Sequence, residues 1–134
     1  MTGRSPAPWL AGLALAADAA LVLLFAGLGR ASHSRGGALL GLIETAWPFL
    51  VGLLLVWGWG MVWRQPVRLL RSGVPVWIGT VVLGMGMRLL SGQGTAPAFI
   101  LVAAVTLGVF LLGWRGIAAL VLRARHRQHP PRRP

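Results

Sequence analysis

Residues 9–29 read WLAGLALAADAALVLLFAGLG, an apolar run with one charged side chain, Asp18, near its centre. The run matches the roughly 20 residues that a helix needs to cross a bilayer. Its strongly apolar side chains are seven Leu, Val22 and Phe25. Each favours insertion by about 0.3–0.6 kcal/mol, against about 2.5–3.5 kcal/mol for a central Asp. The sum favours insertion, so the helix enters the membrane and carries the acid with it. An ionisable group at that depth marks a candidate functional site.

Three further apolar runs follow. They predict an all-α, polytopic membrane protein, a bundle of four transmembrane helices with spans near 9–29, 38–63, 74–90 and 97–114. Composition agrees: 56% of the 134 residues are hydrophobic and 11% are charged, where a soluble domain carries about 25% charged residues. Such a chain has too little polar surface to cover itself in water. The expected organisation is a short cytoplasmic lead (1–8), one transmembrane domain (9–122) and a basic, disordered cytoplasmic tail (123–134). The second span has two readings. It starts at Ala38 and kinks at Pro48, or it starts near Pro48 and leaves Glu44 in an interfacial turn; the apolar character of residues 38–43 favours the kinked helix. Pro97 opens the fourth span, expected to reach Trp114 with an interfacial extension to Leu122.

All 13 basic residues are Arg, and only Asp18 and Glu44 oppose them, for a net charge of +11. Nucleic-acid binding is not expected, because none of the apolar runs is soluble by itself and the arginines flank them. Arg4, Arg64, Arg68, Arg71, Arg115, Arg123, Arg125, Arg127, Arg132 and Arg133 fall on the side of the termini, and Arg30, Arg35 and Arg88 on the other. The positive-inside rule then places both termini in the cytoplasm. Trp9, Trp63, Trp77 and Trp114 lie at the cytoplasmic boundaries and Trp47 near the opposite one. The absence of Cys excludes disulfides and thiolate metal sites. A cleaved signal peptide is not expected, since the first run is too long for one and contains an acid.

The candidate intramembrane polar residues are Asp18, Glu44, Arg88 and Arg30. Asp18 has two readings: a proton or cation site, or a carboxyl bonded to a neighbouring helix to fix assembly. Exchange for Asn should separate them, with packing surviving and any proton-coupled activity lost. Glu44, Arg88 and Arg30 are expected at comparable depth near the outer face. Ser91, Gln93 and Thr95 of the hairpin, with Ser32 and His33, lie at the same level. These groups form either an ion pair between Glu44 and Arg88 or an outer vestibule. In the vestibule, Arg88 and the backbone N–H groups of residues 92–94 would hold an anion. The arginine-rich tail is suited to anionic lipid contact. His126 and His129 do not make a metal site. No HExxH, GxSxG or P-loop pattern occurs, so neither an enzyme nor a cofactor is expected.

The phrases GRASH (29–33), TAWPFLVG (45–52), VWIGTVVLGMGMRLLSGQGTAPAF (76–99) and FLLGWR (110–115) resemble small bacterial membrane proteins of domain-of-unknown-function family 3054. The resemblance covers roughly residues 14–118. It implies four helices and carries over no catalytic or ligand residue. In architecture alone, size and an acid in the first helix are also similar to small multidrug transporters, which are four-helix dimers.

Two functional readings remain open for a protein of the bacterial cytoplasmic membrane. One is a non-enzymatic structural or assembly component, packing with itself or with a larger complex. The other is a small transporter or channel using Asp18. Four short helices enclose little volume, so transport would call for a homo-oligomer.

Overall fold

The computed structural model describes residues 6–31 and 37–128. Its helices are α1 (Pro8–Ala31), α2 (Ala38–Trp59), α3 (Val74–Leu90) and α4 (Pro97–Gln128), and no strand occurs among the described residues. All four are long and apolar enough to cross a membrane, with α3 counted together with the helical turn Leu69–Gly73 that feeds it. The chain is an all-α, multi-pass membrane protein.

Local chemistry accounts for the helix boundaries. Pro8 and Pro97 open α1 and α4, where a missing N–H costs nothing. Gly37 sits at φ 55°, a left-handed position that favours glycine, and delivers the chain into α2 at Ala38. Pro48 lies buried inside α2, so the Glu44 carbonyl has no helical donor four residues on. The helix stops at Trp59 rather than near Trp63, because Gly60 caps it and Met61 turns left-handed at φ 49°. A 3-10 turn, Val62–Arg64, follows. Residues 69–73, between the expected second and third spans, form a π-helical turn closed by the Gly73 N–H on the Arg68 carbonyl at 3.0 Å.

The fourth helix departs furthest from expectation. It continues through residues 115–128, past both Trp114 and Leu122, so residues 123–128 of the expected tail are helical and the rest of that tail, 129–134, lies outside the described residues. Arg, Ala, Leu and Gln are good helix formers, and arginines near a helix C-terminus complement its dipole. At 1.5 Å per residue α4 is about 48 Å long, more than the roughly 30 Å hydrocarbon core.

The helices meet through small residues, as they must where lipid offers no hydrophobic drive between spans. Gly52 of α2 faces Gly84 of α3; a methyl group there would stand 3.1 Å from the Gly84 nitrogen and 3.2 Å from the Thr80 carbonyl. The Trp77 indole of α3 crosses Gly108 to donate to the Ala104 carbonyl of α4 at 2.8 Å. Val22, Phe49, Leu53, Val76, Leu107 and Leu111 fill the centre with no exposed surface. Towards the end of the bundle where α2 and α4 begin, Phe25 packs edge-on to Phe49 at 5.3 Å, and Phe99 lies 6.2 Å from Phe49. The outward faces are also apolar: Leu40 is 71% exposed and Leu90 84%. Lipid is the solvent in which such a surface is stable.

Candidate functional site

Ala14, Asp18, Val22, Phe25 and Ala26 follow one another at spacings of one to four residues along α1, and all are buried. They form its inner face, so position 18 must point into the bundle. Asp18 has no exposed surface, and four N–H donors converge on it. Its Oδ1 accepts from Trp114 Nε1 at 2.8 Å and from Arg115 Nη1 at 2.8 Å. Its Oδ2 accepts from Trp57 Nε1 at 2.9 Å and from Arg115 Nη2 at 2.7 Å. Trp57 comes from the last turn of α2, and Trp114 and Arg115 from α4.

Arg115 is fully buried as well. Besides its two-pronged ion pair with Asp18, it donates from Nε to the Pro66 carbonyl at 3.0 Å and from Nη1 to the Leu111 carbonyl at 3.1 Å. Its guanidinium lies 4.6 Å from the centre of the Trp114 ring. Gly73 leaves room for it, since a methyl group there would stand 3.0 Å from the arginine stem. The connection that supplies Pro66 is itself tied by Ser72, whose hydroxyl donates to the Gln65 carbonyl at 2.5 Å. One ion pair thus joins α1, α2, α4 and the α2–α3 connection.

The paired fork geometry is the strong form of carboxylate recognition. A carboxylate has about four lone-pair sites and donates nothing when ionised; here all four are occupied by protein donors. Two buried charges recover their desolvation cost only when geometry is good and the remaining polar atoms are satisfied, and both conditions are met. The cluster leaves Asp18 no acceptor capacity for water, a cation or a substrate. It also revises what an Asn at this position would do: the amide would aim its own N–H groups at these donors, so packing would not survive the exchange.

The other sequence candidates lie towards the opposite end and are not gathered with Asp18. The Arg30 guanidinium lies against α2 where Gly41 has no side chain. Glu44 is exposed on α2 and pairs with no described residue, Arg88 included. Arg88 instead donates to Gln93 Oε1 at 2.9 Å and to the Gly94 carbonyl at 3.3 Å, and stacks 4.3 Å over Phe99. Ser91 donates to the Arg88 carbonyl at 3.1 Å, and Thr95 is half-buried in the same hairpin. The backbone N–H groups of Gly92 and Gln93, expected to face an anion, close the end of α3 on Leu89 and Arg88. Ser32, His33 and His129 lie outside the described residues. Among the described residues no group of three His, Asp or Glu side chains is placed to hold a metal ion.

Sequence reasoning found Asp18 but not its partners. By position in the sequence Arg115 is a topology-setting charge and Trp114 an interfacial anchor, and nothing around Trp57 or Pro66 marks a role. A usable signal did exist. Arg115 has apolar residues on both sides, 107–114 and 116–122, so like Asp18 it interrupts an apolar run instead of ending one.

A family model described as "Protein of unknown function (DUF3054)" matches residues 15–118, a stretch that includes Asp18, Trp57, Pro66, Trp114 and Arg115. No curated protein and no solved structure matches the chain.

Proposed function

The chain belongs to the DUF3054 family, and from that premise we propose that it is a non-enzymatic membrane component whose buried polar cluster fixes helix assembly. The supporting observation is the complete occupancy of Asp18: both oxygens accept two N–H donors each, in a site without exposed surface. A carrier carboxyl must exchange its partners for a proton or ion during each cycle. Here that exchange would strand the buried guanidinium of Arg115, at a cost of several kcal/mol. All the partners come from the same chain, so the cluster sets the pairing of helices within one copy.

Our reading of localisation is a multi-pass protein of the bacterial cytoplasmic membrane with both termini cytoplasmic. Arg115 is buried, so it drops out of the flanking charges. The bias persists, because Arg64, Arg68, Arg71, Arg123, Arg125 and Arg127 remain at the end of the bundle where α1 begins and α4 finishes.

Proteoliposome flux tests the function. Wild type should leave proton and monovalent-cation leakage at background. The comparison variant is Asp18→Leu with Arg115→Leu, which removes the carboxyl and leaves no charge stranded. Flux through wild type that disappears in this folded double variant would overturn the reading in favour of a transporter or channel.

A further inference from the structure

The first turn of α1, residues 64–71 and the part of α4 beyond Arg115 surround an open groove of about 1400 Å³. It is larger than the roughly 300–1,000 Å³ of ordinary small-molecule sites. Arg64, Arg68, Arg71 and Arg123 line it, and no hydrogen bond or ion pair to a described residue occupies their guanidinium groups. Neither acid of the chain is available to them. Asp18 is saturated inside the bundle, and Glu44 lies in the second turn of α2, away from this end. Between the arginines the lining is apolar, with Leu10, Leu70 and Leu120 prominent. The π-helical turn contributes to the mixture, because it presents Leu69, Leu70 and Arg71 consecutively on the surface.

We propose that this groove binds an anionic glycerophospholipid, with its phosphate among the four arginines and its acyl chains on the leucine floor. Charge complementarity selects the headgroup, since these four cations face no anion among the described residues. The floor selects an amphiphile, because a soluble anion would gain nothing from it. Depth agrees: Trp9, Trp59 and Trp63 are exposed around the same end, and tryptophan collects at headgroup level. The arginines of the groove, Arg123 included, rather than those further along the chain, carry the recognition.

The test is native mass spectrometry of the full chain in neutral detergent, titrated with phosphatidylglycerol or phosphatidylcholine. Wild type should retain phosphatidylglycerol preferentially. At about 1 kcal/mol per arginine, Arg68→Gln with Arg71→Gln should weaken that retention about 30-fold. Arg125→Gln with Arg127→Gln, further along α4 and outside the groove, should leave it unchanged. Gly116→Trp keeps every charge and has open space at its Cβ; by filling the groove it should also abolish retention. Inorganic phosphate should not compete. Equal retention of the two lipids, equal losses in the groove and tail variants, or displacement by phosphate would each overturn the assignment.

Discussion

Arg115 is fully buried, and its bonds reach residues 49 and 97 positions away in the sequence. Arg88 is half-buried, and its bonds end on residues five and six positions further along its own chain. Both arginines sit on apolar helices, yet one ties two helices and a connection together, and through Asp18 a third helix, while the other ties down a hairpin. The difference follows from solvent access. A charge with no water must be neutralised through tertiary structure, so its partners specify the fold. A charge near the membrane edge can stack on an aromatic ring and bond the nearest turn, and then it constrains only that turn.

The largest effect should come from splitting the buried pair. Arg115→Leu or Asp18→Leu alone should each cost about 3–5 kcal/mol, because each strands a buried charge. The double variant should be more stable than either single one. Equilibrium unfolding in mixed detergent micelles measures this, and additive losses would break the contrast between the two ends. Asp18→Asn should behave like a single charge deletion. A smaller loss is expected from Trp57→Phe, which keeps the ring and deletes the donor to Oδ2. A hydrogen bond to a charged group is worth about 1.5–3 kcal/mol, and the same unfolding measurement should return a value in that range.

The legibility of the two ends differs for the same reason. Length and apolar content are local properties, so all four helices could be read from the chain, along with the start of α2 at Ala38. Its end could not, because a left-handed Met61 has no signature in the residue type. The extent of α4 was obscured by its arginines, which look like a solvated tail but are good helix formers. The expectation for Glu44 and Arg88 concerned position along their helices, near the start of α2 and the end of α3, and rotation about the helix axis could not be read. Glu44, in the second turn of α2, falls on its exposed side, away from the face formed by Phe49, Leu53 and Trp57. Asp18 stood out as an acid in an apolar run. Its pairing with Arg115 spans 97 positions, and the rule that buried charges are paired, applied to the other charge that interrupts an apolar run, points there.

At the opposite end the expected effects are small and local. Arg88→Gln removes the stacking on Phe99, worth about 0.5–1 kcal/mol at a partly exposed site, and loosens the hairpin without disturbing the Asp18 cluster. Faster amide exchange confined to residues 91–96, with residues near Trp57 and Trp114 unaltered, is the measurement that checks it.

Glu44→Gln should give no resolvable change in unfolding, since the carboxylate has no partner among the described residues. Combining it with Arg88→Gln therefore separates proximity in depth from contact. Two groups that form an ion pair respond to each other's removal, as Asp18 and Arg115 should, whereas groups that merely share a level do not. The Glu44/Arg88 double variant should equal the sum of its single variants. A coupling comparable to that of the buried pair would mean that the outer end, too, is held by a long-range charge contact. In that case solvent access would no longer explain why the two ends differ.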